Sequence, residues 1–85
     1  MQRFARSTKD VGHILTQYRL AQGLSQAELA KRLNLHQTSI SRLESGDTNR
    51  VLDLVFRILA MLDLEIEFRP RRKSSAQDII DMFDE

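Results

Sequence analysis

The sequence predicts a mainly α fold of four to five helices followed by one β-strand. Three observations carry that expectation. Apolar residues recur at helical spacing in several short windows, capping residues stand at the start of those windows, and one stretch near the end alternates strictly.

The first window opens at Ser7, with Asp10 three residues on completing a weak capping box. Val11, Ile14, Leu15 and Tyr18 then share one face and Gly23 supplies a stop, so a first helix is expected over 8–22 behind a basic arm, residues 1–6. Ser25-Gln26-Ala27-Glu28 is a full capping box, in which hydroxyl and carboxylate each satisfy the other residue's backbone amide. It starts a short second helix over 26–33 that buries Leu29, Ala30 and Leu33. Asn34 ends that helix, because asparagine tolerates the left-handed conformation second only to glycine.

A third helix over 37–44 turns Ile40 and Leu43 inward and stops at Gly46. At about 100° per residue the opposite face carries Gln37, Thr38, Ser41 and Arg42. Hydrogen-bonding side chains with a single guanidinium are what DNA base edges require. Asp47 to Arg50 form a capped loop. Val51, Leu52, Leu54, Val55, Ile58, Leu59 and Leu62 then give a fourth helix a broad apolar face, expected at the centre of the core.

Leu64 to Arg69 alternate with the period of a half-buried strand, Leu64, Ile66 and Phe68 on one side, and Pro70 ends the run. A lone strand leaves backbone groups unpaired, so it needs a mate. Two are available: the same strand of a second subunit, which is favoured, or the arm around Gln2 to Ala5. Arg71 to Ser75 read as a linker. The last ten residues set Ile79, Ile80, Met82 and Phe83 among four acids, as a frayed tail or as an anchor for a partner protein.

Eighty-five residues suit one small domain, and 41% hydrophobic with 29% charged residues is a globular composition. The chain has no cysteine, hence no disulfide, thiol nucleophile or thiolate metal site. Its two histidines, His13 and His36, are too far apart in sequence to suggest a metal pair, so no cofactor is expected. Nothing supplies the paired acid and base or the nucleophile that an enzyme needs. No apolar run suits a membrane span or a signal peptide, which makes a cytoplasmic protein the expectation. The net charge of +1 conceals an uneven distribution. Residues 1–73 hold all 13 Lys and Arg against 8 Asp and Glu, a balance of +5, whereas Asp78, Asp81, Asp84 and Glu85 give the tail −4. A basic body with an acidic tail points weakly to nucleic acid plus a separate interaction segment.

The run Gly23-Leu24-Ser25-Gln26-Ala27-Glu28-Leu29-Ala30-Lys31-Arg32-Leu33, continued by Ile40-Ser41-Arg42-Leu43-Glu44-Ser45-Gly46, resembles the helix-turn-helix of the phage-repressor (XRE, Cro/C1) family. The resemblance covers about residues 8–62. Two positions depart from it: Asn34 replaces the commoner glycine of the turn, and His36 replaces a Ser or Thr cap of the third helix. Imidazole is the poorer N-cap. The order of arm, helices, strand and tail is further similar to HipB antitoxins, the DNA-binding partners of HipA-type kinase toxins.

The resemblance implies a lambda-repressor-like domain over 7–62, a dimerisation strand over 63–70 and a flexible tail over 71–85. By position it makes Gln37, Thr38 and Arg42 base-reading residues of a recognition helix, with Ser41 and His36 beside them. Gln26 matches a residue that grips phosphate, and Ser25, Ser39, Asn49 and Arg50 are further backbone contacts. Arg19 and Glu44 match an internal ion pair. The implied function is a sequence-specific repressor, homodimeric on a palindromic operator, that serves as the antitoxin of a type II toxin–antitoxin module and represses its own operon. The alternative is a free-standing transcription regulator of the same family.

Overall fold

The computed structural model describes residues 2–71. A short strand β1 (Phe4–Ala5) leads into α1 (Thr8–Ala21), α2 (Gln26–Leu33), α3 (Gln37–Glu44) and α4 (Arg50–Met61), and β2 (Ile66–Glu67) follows. The expected anchor residues Ile79, Ile80, Met82 and Phe83 lie outside the described residues.

Local signals set the helix boundaries. Ser7 Oγ accepts from the Asp10 amide at 3.1 Å to cap α1, and Ser25 and Glu28 form the reciprocal box at the start of α2. Asn34 ends α2 in the left-handed region, at φ 57° and ψ 45°. His36 stands at the N-cap of α3 without a side-chain hydrogen bond, so the replaced cap is a real loss at that end. Asn49 Oδ1 caps α4 through the Leu52 amide. Asp63, at φ 60°, turns the chain out of α4 towards β2.

The helices α1, α2 and α3 form one packed unit. Here α2 buries Ala30 and α3 buries Ile40, while Val11 and Ile14 of α1 are buried in a cluster with Ala5 and Phe56, with Leu15 and Tyr18 packed beside it. Leu33, expected inside, is exposed at the rim of a depression that it lines with Leu15 and Tyr18 of α1 and Ile40 and Leu43 of α3. Gly12 sits where α1 and α3 nearly touch. A Cβ there would overlap the carbonyl oxygens of Leu43 and Glu44, 2.5 Å from the first, so only glycine permits this approach.

The fourth helix is not the centre of the core. It buries Phe56 and half-buries Leu52 and Leu59, three residues at i, i+4 and i+7. Val51, Leu54, Val55, Ile58 and Leu62, expected inside, face outward, together with Met61 at 85% exposed. The apolar arc of α4 is wider than the single surface that α1 and the strands offer it.

The strand finds its mate within the chain. β2 pairs antiparallel with β1, Phe4 opposite Glu67 and Ala5 opposite Ile66, and the Phe68 amide extends the ladder to Arg3 O at 2.6 Å. Within the chain the mate is therefore the arm, the second of the two expected, rather than the favoured strand of a second subunit. Arg6 meets Glu65 at 2.8 Å and Arg3 meets Glu67 at 3.8 Å across the pair. Ala5 is fully buried against the same cluster as Ile66 and Phe68, whereas Leu64 is exposed.

Candidate nucleic-acid interface

A polar surface runs along α3. Gln37, Thr38, Ser41 and Arg42 are all exposed on it, as the 100° spacing requires once Ile40 is buried and Leu43 half-buried. His36 is exposed at its start and Ser39 on its flank. Side chains on one rigid helix, with donors and acceptors free toward solvent, have the form needed to enter a major groove.

Beneath α3 lies a hydrogen-bonded chain that fixes its position. Arg19 of α1 donates to both carboxylate oxygens of Glu44, Nε to Oε2 at 2.6 Å and the second guanidinium nitrogen to Oε1 at 3.0 Å. The pair is nearly buried, with 9% of the Arg19 side chain and 7% of the Glu44 side chain exposed. Its remaining capacity is used as well, since Arg19 also donates to Leu24 O at 2.7 Å in the loop before α2. One side chain thus ties three elements together. Charge-assisted, two-pronged pairing of this kind carries directional as well as energetic weight. The hydrogen bonds from Arg19 hold the Glu44 carboxyl below the usual carboxylate range, with smaller help from Gln26 and Thr16, while burial opposes them.

Gln26 carries the chain to the surface. Its Nε2 donates to Glu44 Oε1 at 3.0 Å, and its Oε1 accepts from Gln37 Nε2 at 3.4 Å. The first residue of α2 is thereby oriented by the ion pair and in turn steadies the first residue of α3. Gln37 keeps its amide oxygen for an outside donor. The expected internal pair of Arg19 and Glu44 and the expected surface residues Gln26 and Gln37 are one connected network, a link invisible in the sequence because the four residues span from 19 to 44.

The other expected backbone contacts flank this surface. Ser25 and Gln26 stand at the start of α2, where amides without helical partners and the helix dipole favour an anion. Ser25 Oγ is already an acceptor in the capping box, which leaves its hydroxyl proton for a phosphate. Asn49 commits its oxygen to capping α4 and leaves its amide NH2 outward, with Arg50 exposed beside it. Ser39, Arg42 and Asn49 border a shallow depression of about 310 Å³ that joins α3 to the loop before α4. The described residues hold no group of three or more metal-ligating side chains, and no described helix is long and apolar enough to cross a membrane.

Four structurally important residues escaped the sequence reading. Gly12 offered no signal, because a glycine within a helix looks like a propensity defect until its neighbour is known. Phe56 could have been found as the middle of the series Leu52, Phe56 and Leu59. Arg3 and Arg6 could have been matched with Glu67 and Glu65 as opposed charges on an antiparallel pair.

Comparison with known proteins agrees with this geometry. The model of a family described as helix-turn-helix matches residues 15–68, more than half of the chain. Antitoxin HipB of Escherichia coli (strain K12) is 33% identical over 55 residues, a match that covers 65% of this chain and 62% of that protein. The shared part is therefore about three fifths of the relative's length. No solved structure matches the chain. With α2 and α3 in the helix-turn-helix arrangement and an exposed polar face on α3, the chain belongs to the XRE-type helix-turn-helix family of DNA-binding regulators.

Proposed function

We propose that the protein is a dimeric, sequence-specific repressor acting as the antitoxin of a HipBA-like type II module that represses its own operon. The observation that carries the DNA-reading half is the network Arg19–Glu44–Gln26–Gln37, which couples a phosphate-facing residue of α2 to a base-facing residue of α3. In this reading Gln37, Thr38, Ser41 and Arg42, with His36, contact base edges, Arg42 suiting guanine and Gln37 adenine. Ser25, Gln26, Ser39, Asn49 and Arg50 hold the sugar-phosphate backbone.

A repressor of this size needs two copies to read a palindrome. In this reading the dimer surface is α4, where Val51, Val55, Ile58 and Leu62 form one continuous exposed apolar stripe at 100° per residue. Burying each such side chain contributes about 1.5–3 kcal/mol, so the four from both copies supply on the order of 10 kcal/mol, comparable to the cost of association. The likeness to Antitoxin HipB supports the antitoxin role, and a HipA-type kinase toxin is the partner proposed with it.

Footprinting on the DNA upstream of the chain's own gene tests the repressor half. The expected result is a protected palindrome with half-sites one helical turn, or a multiple, apart. Absence of any protected site there removes autoregulation. Co-purification with the product of the adjacent gene tests the other half: a stable complex favours the antitoxin, and its absence leaves a free-standing regulator.

A further inference from the structure

A second surface of α4 is unlike the apolar stripe. Between the arm and the side of α4 opposite that stripe runs a groove of about 800 Å³ whose walls include Arg6, Arg50 and Arg57. Buried Phe56 and exposed Leu54 give it an apolar floor and rim. Arg6 is tied to Glu65, but among the described residues Arg50 and Arg57 make no ion pair, even though Asp53 lines the same groove. The site thus offers unpaired guanidinium groups above apolar carbon, and its complement is a short segment that mixes acids with large apolar side chains.

The chain contains such a segment. Residues 78–85 read Asp-Ile-Ile-Asp-Met-Phe-Asp-Glu, four acids and four large apolar residues. Reach is sufficient. The Phe68 amide bonds Arg3 O, which places that part of the chain beside the arm three residues from Arg6 at the groove. Past Phe68 the chain runs antiparallel to the arm and away from Arg6, which sets Arg71 up to about 20 Å from Arg6, and from Arg71 to Ile79 an extended chain covers up to about 27 Å.

We propose that the groove between the arm and α4 is the docking site of the chain's own acidic-apolar tail, carboxylates on Arg50 and Arg57 and an apolar side chain over Phe56. Arg50 is shared with the proposed phosphate contacts, but Arg6, Phe56 and Arg57 of the groove are not, so the proposal can fail while the repressor reading stands. The full chain carries no cysteine, which allows a single nitroxide label at Gln77→Cys. Paramagnetic broadening of backbone amide signals then reports where the tail spends its time. The expected result is broadening several-fold stronger at Ser7, Thr8, Arg50, Asp53, Arg57 and Ala60, which line the groove, than at Lys31 to Leu33 of α2. It should be lost in Arg57→Glu, and lost again in about 1 M salt, where the screening length is about 3 Å. Arg57 is exposed, so the reversal spares the core, and the salt result stands in for it if the variant misfolds. Mixing spin-labelled chain with isotope-labelled, unlabelled chain tells whether the tail docks on its own copy or on a neighbour; either places the tail in the groove. Broadening that is absent, uniform, centred on the Val51–Leu62 stripe, or indifferent to both salt and Arg57→Glu overturns the proposal.

Discussion

The two sides of this small domain are built on opposite principles. On one, α1, α2 and α3 meet through Gly12, a nearly buried Arg19–Glu44 pair and a glutamine chain that leads out to the polar face of α3. On the other, α4 touches the rest through Phe56, Leu52 and Leu59 and leaves a continuous apolar stripe in solvent. The first side is satisfied within one chain and held in fixed geometry. The second is unfinished as a monomer. Reading bases demands placement to a fraction of an ångström, which polar networks supply, whereas holding two copies together demands buried apolar area, which they do not.

The largest effect should come from breaking the satisfied side. Glu44→Ala strands Arg19 almost fully buried without a partner, a loss of about 3 kcal/mol. For a domain of this size that lowers Tm by more than about 10 °C in a thermal melt. A melt like that of the parent would mean that the pair does not organise α1 and α3. Next comes Gly12→Ala, whose methyl meets two carbonyl oxygens of α3. Overpacking of that kind costs about 1–3 kcal/mol, and it should outweigh the roughly 1 kcal/mol by which alanine improves the helix. A more stable variant in urea unfolding would show the approach to be looser than described.

A smaller change in stability, but a change in assembly, is expected on the other side. Ile58→Glu is placed on an exposed position of α4 and should leave the monomer's urea midpoint nearly unchanged while halving the mass seen by light scattering. An unaltered dimer would move the interface elsewhere. The smallest effect is set by pH. Glu44 has its carboxyl depressed in the folded chain, chiefly by Arg19, and so has Glu28, chiefly by the Ser25 amide. The stabilisation they provide is complete above the ordinary carboxylate value near 4.5 and is lost as pH falls through the lower folded values. Stability measured from pH 6 down to about 2 should therefore fall more steeply for the parent than for Glu44→Gln. Parallel curves would argue against the depression.

What could be read in the sequence was local. The Ser25–Glu28 box, the left-handed Asn34 and the uncapped His36 each depend on residues within four positions, and all three appear as expected. The exposed polar set on α3 follows from one helical period anchored at Ile40. Hydropathy alone misjudged α4, because it counts apolar residues without saying how many surfaces exist to cover them. The arm was passed over as a mate of β2 because it is basic and too short to alternate, although its arginines stand opposite Glu65 and Glu67. The coupling of Gln26 to Glu44 and Gln37 needed three dimensions, since it joins the start of α2 to both ends of α3.

The central claim is that α3 reads bases while the start of α2 holds phosphate. Its most direct test is the affinity of Arg42→Ala and Gln26→Ala, beside the parent, for an operator and a panel of its single-base variants at fixed salt. Arg42→Ala should cost about 1–3 kcal/mol on the operator and abolish discrimination at one base position, whereas Gln26→Ala should weaken every duplex by a similar factor. Uniform weakening by Arg42→Ala, with discrimination kept at every position, would contradict the account.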